Sequence, residues 1–308
     1  AGVNTIGGQA NPGLPSASPI TVGIANLING NLNGIQIDGA RDVYVGGNQI
    51  AQNLLNGIRI TGDMSGSSIV AMIVGNVIGM NFAGTDNRSA TTSGSQTEPT
   101  GNGLSGVSIG TLSTRRAQTG SPAVSVLGNL ISSNGLDGVE VTALDITPGF
   151  VSTAPVQNAY AAVAVAGNII GLNISGAPGG TDGRTYGNVL DGVGIRDVGG
   201  VVVGKKDQAG RANVISGNLG RGVAVYWTST TAAASDHDTW IGYNFIGTNL
   251  DGTAATFGAL STGNLSDGVF IYGPAWVTVS TNLIAGNRAA GVHAFNQGGD
   301  FGGNIQLL

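Results

Sequence analysis

The stretch "GNLISSNGLDGVEV", residues 128–141, returns almost word for word as "ANVISGNLGRGVAV" at residues 212–225. Aligned on its first Asn, the phrase gives Ile two residues later, a second Asn five residues later, and then Gly before a β-branched residue. The first Asn recurs at Asn26, Asn48, Asn76, Asn129, Asn168, Asn213, Asn244, Asn282 and Asn304. Ile follows at Ile28, Ile50, Ile78, Ile131, Ile170, Ile215, Ile246 and Ile284. The second Asn is read at Asn31, Asn53, Asn81, Asn134, Asn173, Asn218, Asn249 and Asn287. The Gly steps are Gly34-Ile35, Gly57-Ile58, Gly106-Val107, Gly138-Val139, Gly192-Val193, Gly222-Val223, Gly268-Val269 and Gly291-Val292. Self-similarity at a period of 20–50 residues marks an architecture of stacked units.

Within each unit the apolar residues alternate, as in Val43/Val45, Val124/Val126, Val163/Val165 and Val277/Val279. Period two is the strand signature. Gly and Asn punctuate these short strands because both tolerate positive φ better than other residues. One unit cannot bury its own apolar side, whereas stacked units set each Ile on the next. The strands are then parallel and about 4.8 Å apart, and nine units make a rod about 40 Å long. Buried Asn side chains satisfy one another from coil to coil. An antiparallel sandwich would not need one Ile-x-x-Asn spacing repeated through the chain. The fold class predicted is an all-β, right-handed parallel β-helix of about nine to ten coils, a single domain over residues 1–308.

Composition agrees with a folded stack. Apolar residues make up 41% and charged residues 9%, the net charge is −5, and there are 55 Gly and no Cys. High net charge with few apolar residues would mean disorder, and neither holds. The basic residues are scattered, with only Lys205-Lys206 and Arg115-Arg116 adjacent. Nucleic-acid binding calls for a basic stripe and is not expected. No apolar run reaches the 18 or so residues of a membrane span.

The phrases at residues 128–141 and 212–225, with "NFIGTNLDGTAATFGALSTGNLSDGVFI" and "VNTIGG", resemble the right-handed parallel β-helix repeats of large secreted and cell-surface bacterial proteins. The resemblance covers nearly the whole chain and implies an extracellular or cell-surface location. Its motifs specify fold rather than function, since the fold also carries pectin-cleaving lyases and hydrolases, viral tailspikes and adhesins. The double-Asp and Gly-His-Gly signatures of the pectin hydrolases do not occur.

Long insertions follow Asn81, Asn173 and Asn249 and alternate with short units. They leave one corner and should form a comb of loops, either a binding face or tolerated excursions. A second set is read at residues 61–70, 110–122, 142–160 and 226–238, and a charged excursion at residues 204–213. Asp137, Asp191 and Asp267 share the position before the corner Gly, with Asn33, Asn56, Ser105, Arg221 and Ala290 in the same column. They are read as turn residues and as two or more coils apart. Asp86, Asp182 and Asp251 lie in oxygen-rich turns that can hold Ca²⁺, with turn chemistry as the simpler reading. Asp236, His237 and Asp238 form the densest polar triplet, read as a solvated loop. The only two Glu are Glu98 and Glu140. His293 has no acidic partner nearby in sequence. The Asn-x-Ser sites at Asn87, Asn173 and Asn264 carry no weight in so Asn-rich a chain. No catalytic or cofactor-binding residue and no cofactor is assigned, and the metal question is left open.

The expectation is a non-enzymatic extracellular structural or adhesive rod, stacking into a filament or forming part of a surface layer or matrix. Its partners would be further copies of itself end to end, surface glycans or other cell-surface proteins. The alternative is a carbohydrate-active enzyme, a polysaccharide lyase or glycoside hydrolase, or a glycan-binding module. Three carboxylates, or carboxylates with Arg, converging in a groove lined by Trp240, Tyr243 or Trp276 would favour that alternative. End-to-end stacking rests on the chain ends: residues 9–21 as a partial cap, Asn304 as the last anchor, and residues 1–6 as a Gly-Val strand completing the coil begun at residues 304–308.

Overall fold

A computed structural model describes residues 4–7, 26–62, 71–81, 83–85, 101–111, 122–143, 146–147, 150–151, 159–180, 185–204, 212–228, 238–295 and 304–308. It is a right-handed parallel β-helix. Three parallel sheets, of nine, eight and eight strands, run its length. Each coil contributes one strand to each sheet in turn, such as Val124–Leu127, then Leu130–Ile131, then Val139–Thr142. Eight coils are complete and Asn304–Leu307 begins a ninth, which matches the lower end of the expected count. No helix among the described residues is long and apolar enough to cross a membrane.

Register is set by the alternation. Val139, Val141, Val193 and Ile195 point inward and pair Val139 with Val193 and Val141 with Ile195. The Ile column of the second sheet is sealed inside, with Ile50, Ile78, Ile131, Ile170, Ile215 and Ile246 at 0% exposure. Burying one such side chain contributes about 1.5–3 kcal/mol. The corner Gly before each third-sheet strand is dictated by crowding. A Cβ on Gly138 would lie 2.7 Å from both the Gly192 carbonyl oxygen and Ile170 Cγ2.

The first-Asn column forms a continuous ladder. Asn48 Nδ2 donates to Asn76 Oδ1, Asn76 to Asn129, and Asn129 to Asn168, each at 3.0 Å. The second amide hydrogen reaches a carbonyl of the preceding coil, as from Asn129 to Ile73. A buried amide is thus fully partnered, which removes the penalty of enclosing it.

The second ladder corrects the expected register of the long units. It runs Asn31, Asn53, Asn102, Asn134, Asn188, Asn218, Asn264, Asn287. Asn102, Asn188 and Asn264 take the ladder position there, each four residues before the corner Gly. Asn81, Asn173 and Asn249 instead open the inserted loops. Asn173 Oδ1 accepts from the backbone N–H groups of Ser175 and Ala177, and Asn249 Oδ1 from that of Ala254. A side chain can close a turn or continue the ladder, and in these units two different Asn residues divide the tasks.

The described parts of the inserted loops pave the second sheet. Ile174, Ala177 and Tyr186 pack on Val77, Met80, Leu130 and Ile169. Neighbouring loops touch, with the Ile174 N–H donating to the Gly84 carbonyl at 2.9 Å. A cleft of about 180 Å³ between two loops is mostly apolar, lined by Pro178, Leu219, Leu260 and Leu265. The second insertion set lies largely outside the described residues, as do residues 205–211 of the charged excursion and the proposed cap at residues 9–21.

The reading of the ends is also corrected. Asn4–Gly7 pairs with Val43–Gly46 and belongs to the first sheet, not to the Gly-Val strands of the third. Asn304 opposes Trp276 at the start of another first-sheet strand and is not an anchor Asn. Both described end strands occupy the same station of the coil, so the two half-coils imagined as complementary are not halves of one coil.

Candidate functional site

Side chains alternate in and out along a strand, so each third-sheet strand sends two residues outward. Parallel register stacks these into columns. Beside the corner column run Glu140–Gly194–Ala224–Phe270–His293 and Thr142–Arg196–Tyr226–Tyr272–Phe295. The corner column itself reads Asp137–Asp191–Arg221–Asp267 over four successive coils. Asp137 and Asp191 therefore sit on adjacent coils, contrary to the two-coil separation expected. The Asp191 N–H donates to Asp137 Oδ1 at 3.0 Å.

The corner Asp residues share a scaffold task with Asn. Asn33 Oδ1 accepts from the Asn56 N–H, and Asn56 Oδ1 from the Ser105 N–H. Asp191 Oδ1 accepts from the Arg221 N–H at 2.9 Å and Asp267 Oδ1 from the Ala290 N–H at 3.0 Å. One oxygen suffices for that task. At two of the Asp residues the second oxygen faces a basic side chain. Asp137 Oδ2 receives Arg196 Nη1 at 2.6 Å, while Asp267 Oδ2 lies 3.5 Å from His293 Nδ1 and 3.9 Å from Arg221 Nε.

The two arginines cross the face in opposite directions on adjacent coils. Arg196 folds back over Gly194, where a Cβ would stand 2.5 Å from Arg196 Nη1 and 2.7 Å from Asp137 Oδ2. Its Nη1 also lies 3.4 Å from Glu140, which accepts from Ser105 and Ser108 hydroxyls. Arg221 reaches forward along its own coil and donates to the Tyr226 hydroxyl at 2.7 Å. Its guanidinium stacks 4.3 Å from the Phe270 ring, and both guanidiniums flank the Tyr226 ring. Arg221 Nε is buried with no hydrogen-bond partner. Past the arginines the face becomes aromatic, with Tyr226–Phe270 centroids 5.7 Å apart and Tyr272 stacked on Phe295 at 5.8 Å.

Accessibility separates two layers. Arg196 and Arg221 side chains are 26% and 30% exposed, whereas those of Asp137, Glu140, Asp191 and Asp267 are 1–9% exposed. The carboxylates lie beneath and orient the guanidiniums. Burial, then the neighbouring Asp137 charge, pushes the Asp191 carboxyl up to about 6. The same two causes raise Glu140. Burial, then Asp191, holds the Tyr226 hydroxyl above its ordinary value. For Arg196 burial alone would favour deprotonation, but Asp137 and Glu140 outweigh it and raise its pKa.

The named aromatics lie elsewhere. Trp240 and Trp276 are half-exposed on first-sheet strands, and Tyr243 packs on Trp240 at 5.9 Å. Carboxylates and arginines do converge, but beside Tyr226 and Phe270 and not in a groove lined by Trp240, Tyr243 or Trp276, so the condition named for the carbohydrate-active alternative is not met in that form. His293, with no acidic partner nearby in sequence, faces Asp267. Asp251 Oδ1 accepts from the Thr253 N–H and hydroxyl, and these bonds lower its pKa. It is a turn residue, as the simpler reading had it. Asp86, Glu98, Asp182, Asp236, His237 and Asn87 lie outside the described residues. Asn264 belongs to the second ladder. The sequence reading missed Arg196, Tyr226 and Tyr272, although aligning the Gly-Val steps places all three four residues after the corner Gly.

No protein-family model matches the chain, and no curated protein matches it. Among solved structures it is similar to the A-module of the Azotobacter vinelandii mannuronan C-5 epimerase AlgE6, with 16% identity and a TM-score of 0.49 over 92% of this chain and 56% of that one. It is also similar to the periplasmic alginate epimerase AlgG, with 15% identity and a TM-score of 0.43 over 90% of this chain and 47% of that one. The chain thus spans about half the length of these structures.

Proposed function

We propose that the chain is an extracellular, glycan-binding β-helical rod that holds a carbohydrate along the outer face of its third sheet. One observation carries the reading: over four successive coils the corner column exchanges Asn and Ser for Asp137, Asp191, Arg221 and Asp267, with Arg196 crossing toward Arg221's side of the face and an aromatic run beside them. The scaffold does not require that exchange, because Asn33 and Asn56 do the same backbone work. A glycan matches what the face offers. Guanidinium N–H donors meet hydroxyl acceptors, and aromatic rings cover sugar C–H faces. Coils about 4.8 Å apart repeat these groups along the rod, suiting an extended polymer.

The arrangement favours holding over cleaving. General acid–base work needs a carboxyl within hydrogen-bond reach of the reacting atom, and here the carboxyls lie under the arginines. Affinity electrophoresis of the purified chain through gels containing soluble polysaccharides tests the reading. Retardation by at least one polymer, weakened about tenfold by Tyr272→Ala with Arg221→Gln, is expected. No retardation by any polymer overturns it, and release of new reducing or unsaturated ends would replace holding with cleavage.

A further inference from the structure

We infer, building on the glycan reading, that this face accepts uncharged glycans and turns acidic ones away at neutral pH. The charge balance carries the argument. Six charged groups make up the centre: the carboxylates Asp137, Glu140, Asp191 and Asp267, and the guanidiniums of Arg196 and Arg221. Fully ionised, four negative charges stand against two positive ones. The whole chain is also acidic, at −5.

The positive charges are already matched from below. Arg196 Nη1 is 2.6 Å from Asp137 and 3.4 Å from Glu140, and Arg221 lies between Asp191 at 3.8 Å and Asp267 at 3.9 Å. A ligand meets guanidinium N–H donors without a positive field behind them. Sugar hydroxyls can accept those hydrogens. A ligand carboxylate or sulfate would meet the same donors, but over a buried layer with two surplus negative charges. In a partly desolvated site that repulsion is felt over several ångströms, and a misplaced charge is an effective means of excluding a competitor.

The surplus depends on pH. Asp191 is faced by Asp137 from the preceding coil, Arg196 from its own, and Arg221 and Tyr226 from the next. Glu140 lies beyond Arg196, and Asp267 with His293 beyond Arg221. Asp191 titrates near 6, and Glu140 is also displaced upward. Protonating Asp191 removes one of the two surplus charges, so exclusion should relax in mild acid.

The test uses matched pairs: glucan, mannan and galactan oligosaccharides, and the same oligosaccharides oxidised at C6 to uronates or sulfated at C6. Binding to the purified chain is measured by calorimetry at pH 7.5 and pH 5. A backbone that binds in neutral form should bind about tenfold more weakly once charged at pH 7.5, with the gap closing to about threefold or less at pH 5. Asp191→Asn keeps the oxygen that accepts from the Arg221 N–H and should narrow the gap at pH 7.5. The wild-type pH series gives the same information without a variant. Uronates or sulfates binding as well as their neutral parents at pH 7.5 would overturn the inference and leave glycan binding standing. If no form of any backbone binds, the glycan reading itself fails.

Discussion

The corner leading into the third sheet is built in two versions. In the first three coils it carries Asn33, Asn56 and Ser105, and in the next four Asp137, Asp191, Arg221 and Asp267. The backbone path is the same, and Asn33, Asn56, Asp137, Asp191 and Asp267 all pass an oxygen to the next coil. The first version spends its remaining valence on the scaffold, as when Asn56 Nδ2 donates to Asn33 Oδ1 at 3.2 Å. The second version turns it toward Arg196, Arg221 and His293. A solenoid can thus change its surface chemistry coil by coil without changing its frame, because frame and surface use different atoms of one side chain.

The comparison breaks first if the frame is not shared. Ile50 and Ile131 are sealed in the same column, one in each region. Ile50→Asn and Ile131→Asn should both cost about 4 kcal/mol or more, through lost apolar burial and an unpartnered buried amide. Thermal or urea unfolding of both variants checks this. A large loss in one region alone would mean that the two halves are held by different interactions. Next come the ladders. Asn53→Ala and Asn188→Ala should each cost about 1–3 kcal/mol, since each Asn donates to the next amide at 2.9 Å. A destabilised Asn53 variant beside a neutral Asn188 variant would restrict the ladder to the first coils.

Much of this frame is written plainly in the sequence. The Ile and first-Asn columns recur at fixed offsets, and parallel stacking follows from burial alone. The second ladder was harder to place, because Asn81, Asn173 and Asn249 keep the five-residue offset while serving as loop openers. Counting back four residues from each corner Gly finds Asn102, Asn188 and Asn264. The site was half legible. The Asp column could be listed, and Arg221 stands in it. That Arg196 folds back over Gly194 and Arg221 reaches forward to Tyr226 depends on rotamers and neighbouring volumes, which no linear spacing encodes.

The charged corner itself gives opposite signs in the two regions. Asn56→Asp replaces an amide that is 4% exposed and donates to Asn33 Oδ1 with a carboxylate that cannot donate there, and should cost about 1–3 kcal/mol at pH 7.5. Asp191→Asn should stabilise by about 1–2 kcal/mol at pH 7.5. The sign follows from its carboxyl titrating near 6 in the fold against 3.8 ordinarily. Its contribution to stability is fully present below the ordinary value and is lost as pH rises through 6. The gain from Asp191→Asn should therefore fade between pH 6 and pH 4, as melting temperatures across that range would record. A variant as stable as the parent at every pH would mean that Arg221 neutralises Asp191 in full.

The smallest effect on stability is expected at Gly194, and it isolates the surface from the frame. Gly192, two residues earlier, is a frame position, since a Cβ there would press on the Gly222 carbonyl oxygen 2.7 Å away. Gly194 has ordinary backbone angles, and the nearest atoms to a Cβ there belong to two side chains, Arg196 Nη1 and the Asp137 carboxylate. Gly194→Ala leaves the strand free to form, and Ala lowers the entropy of the unfolded chain. Against that gain stands the Arg196–Asp137 contact, with one partner about a quarter exposed, which has to lengthen. The two effects oppose each other, and the net change should stay within about 1 kcal/mol. The Arg196 arm, however, can no longer lie flat against the sheet. Glycan affinity should fall about fivefold to tenfold while the melting temperature barely moves. Loss of both together would place Gly194 in the frame, and loss of neither would mean that ligand does not touch the Arg196 arm.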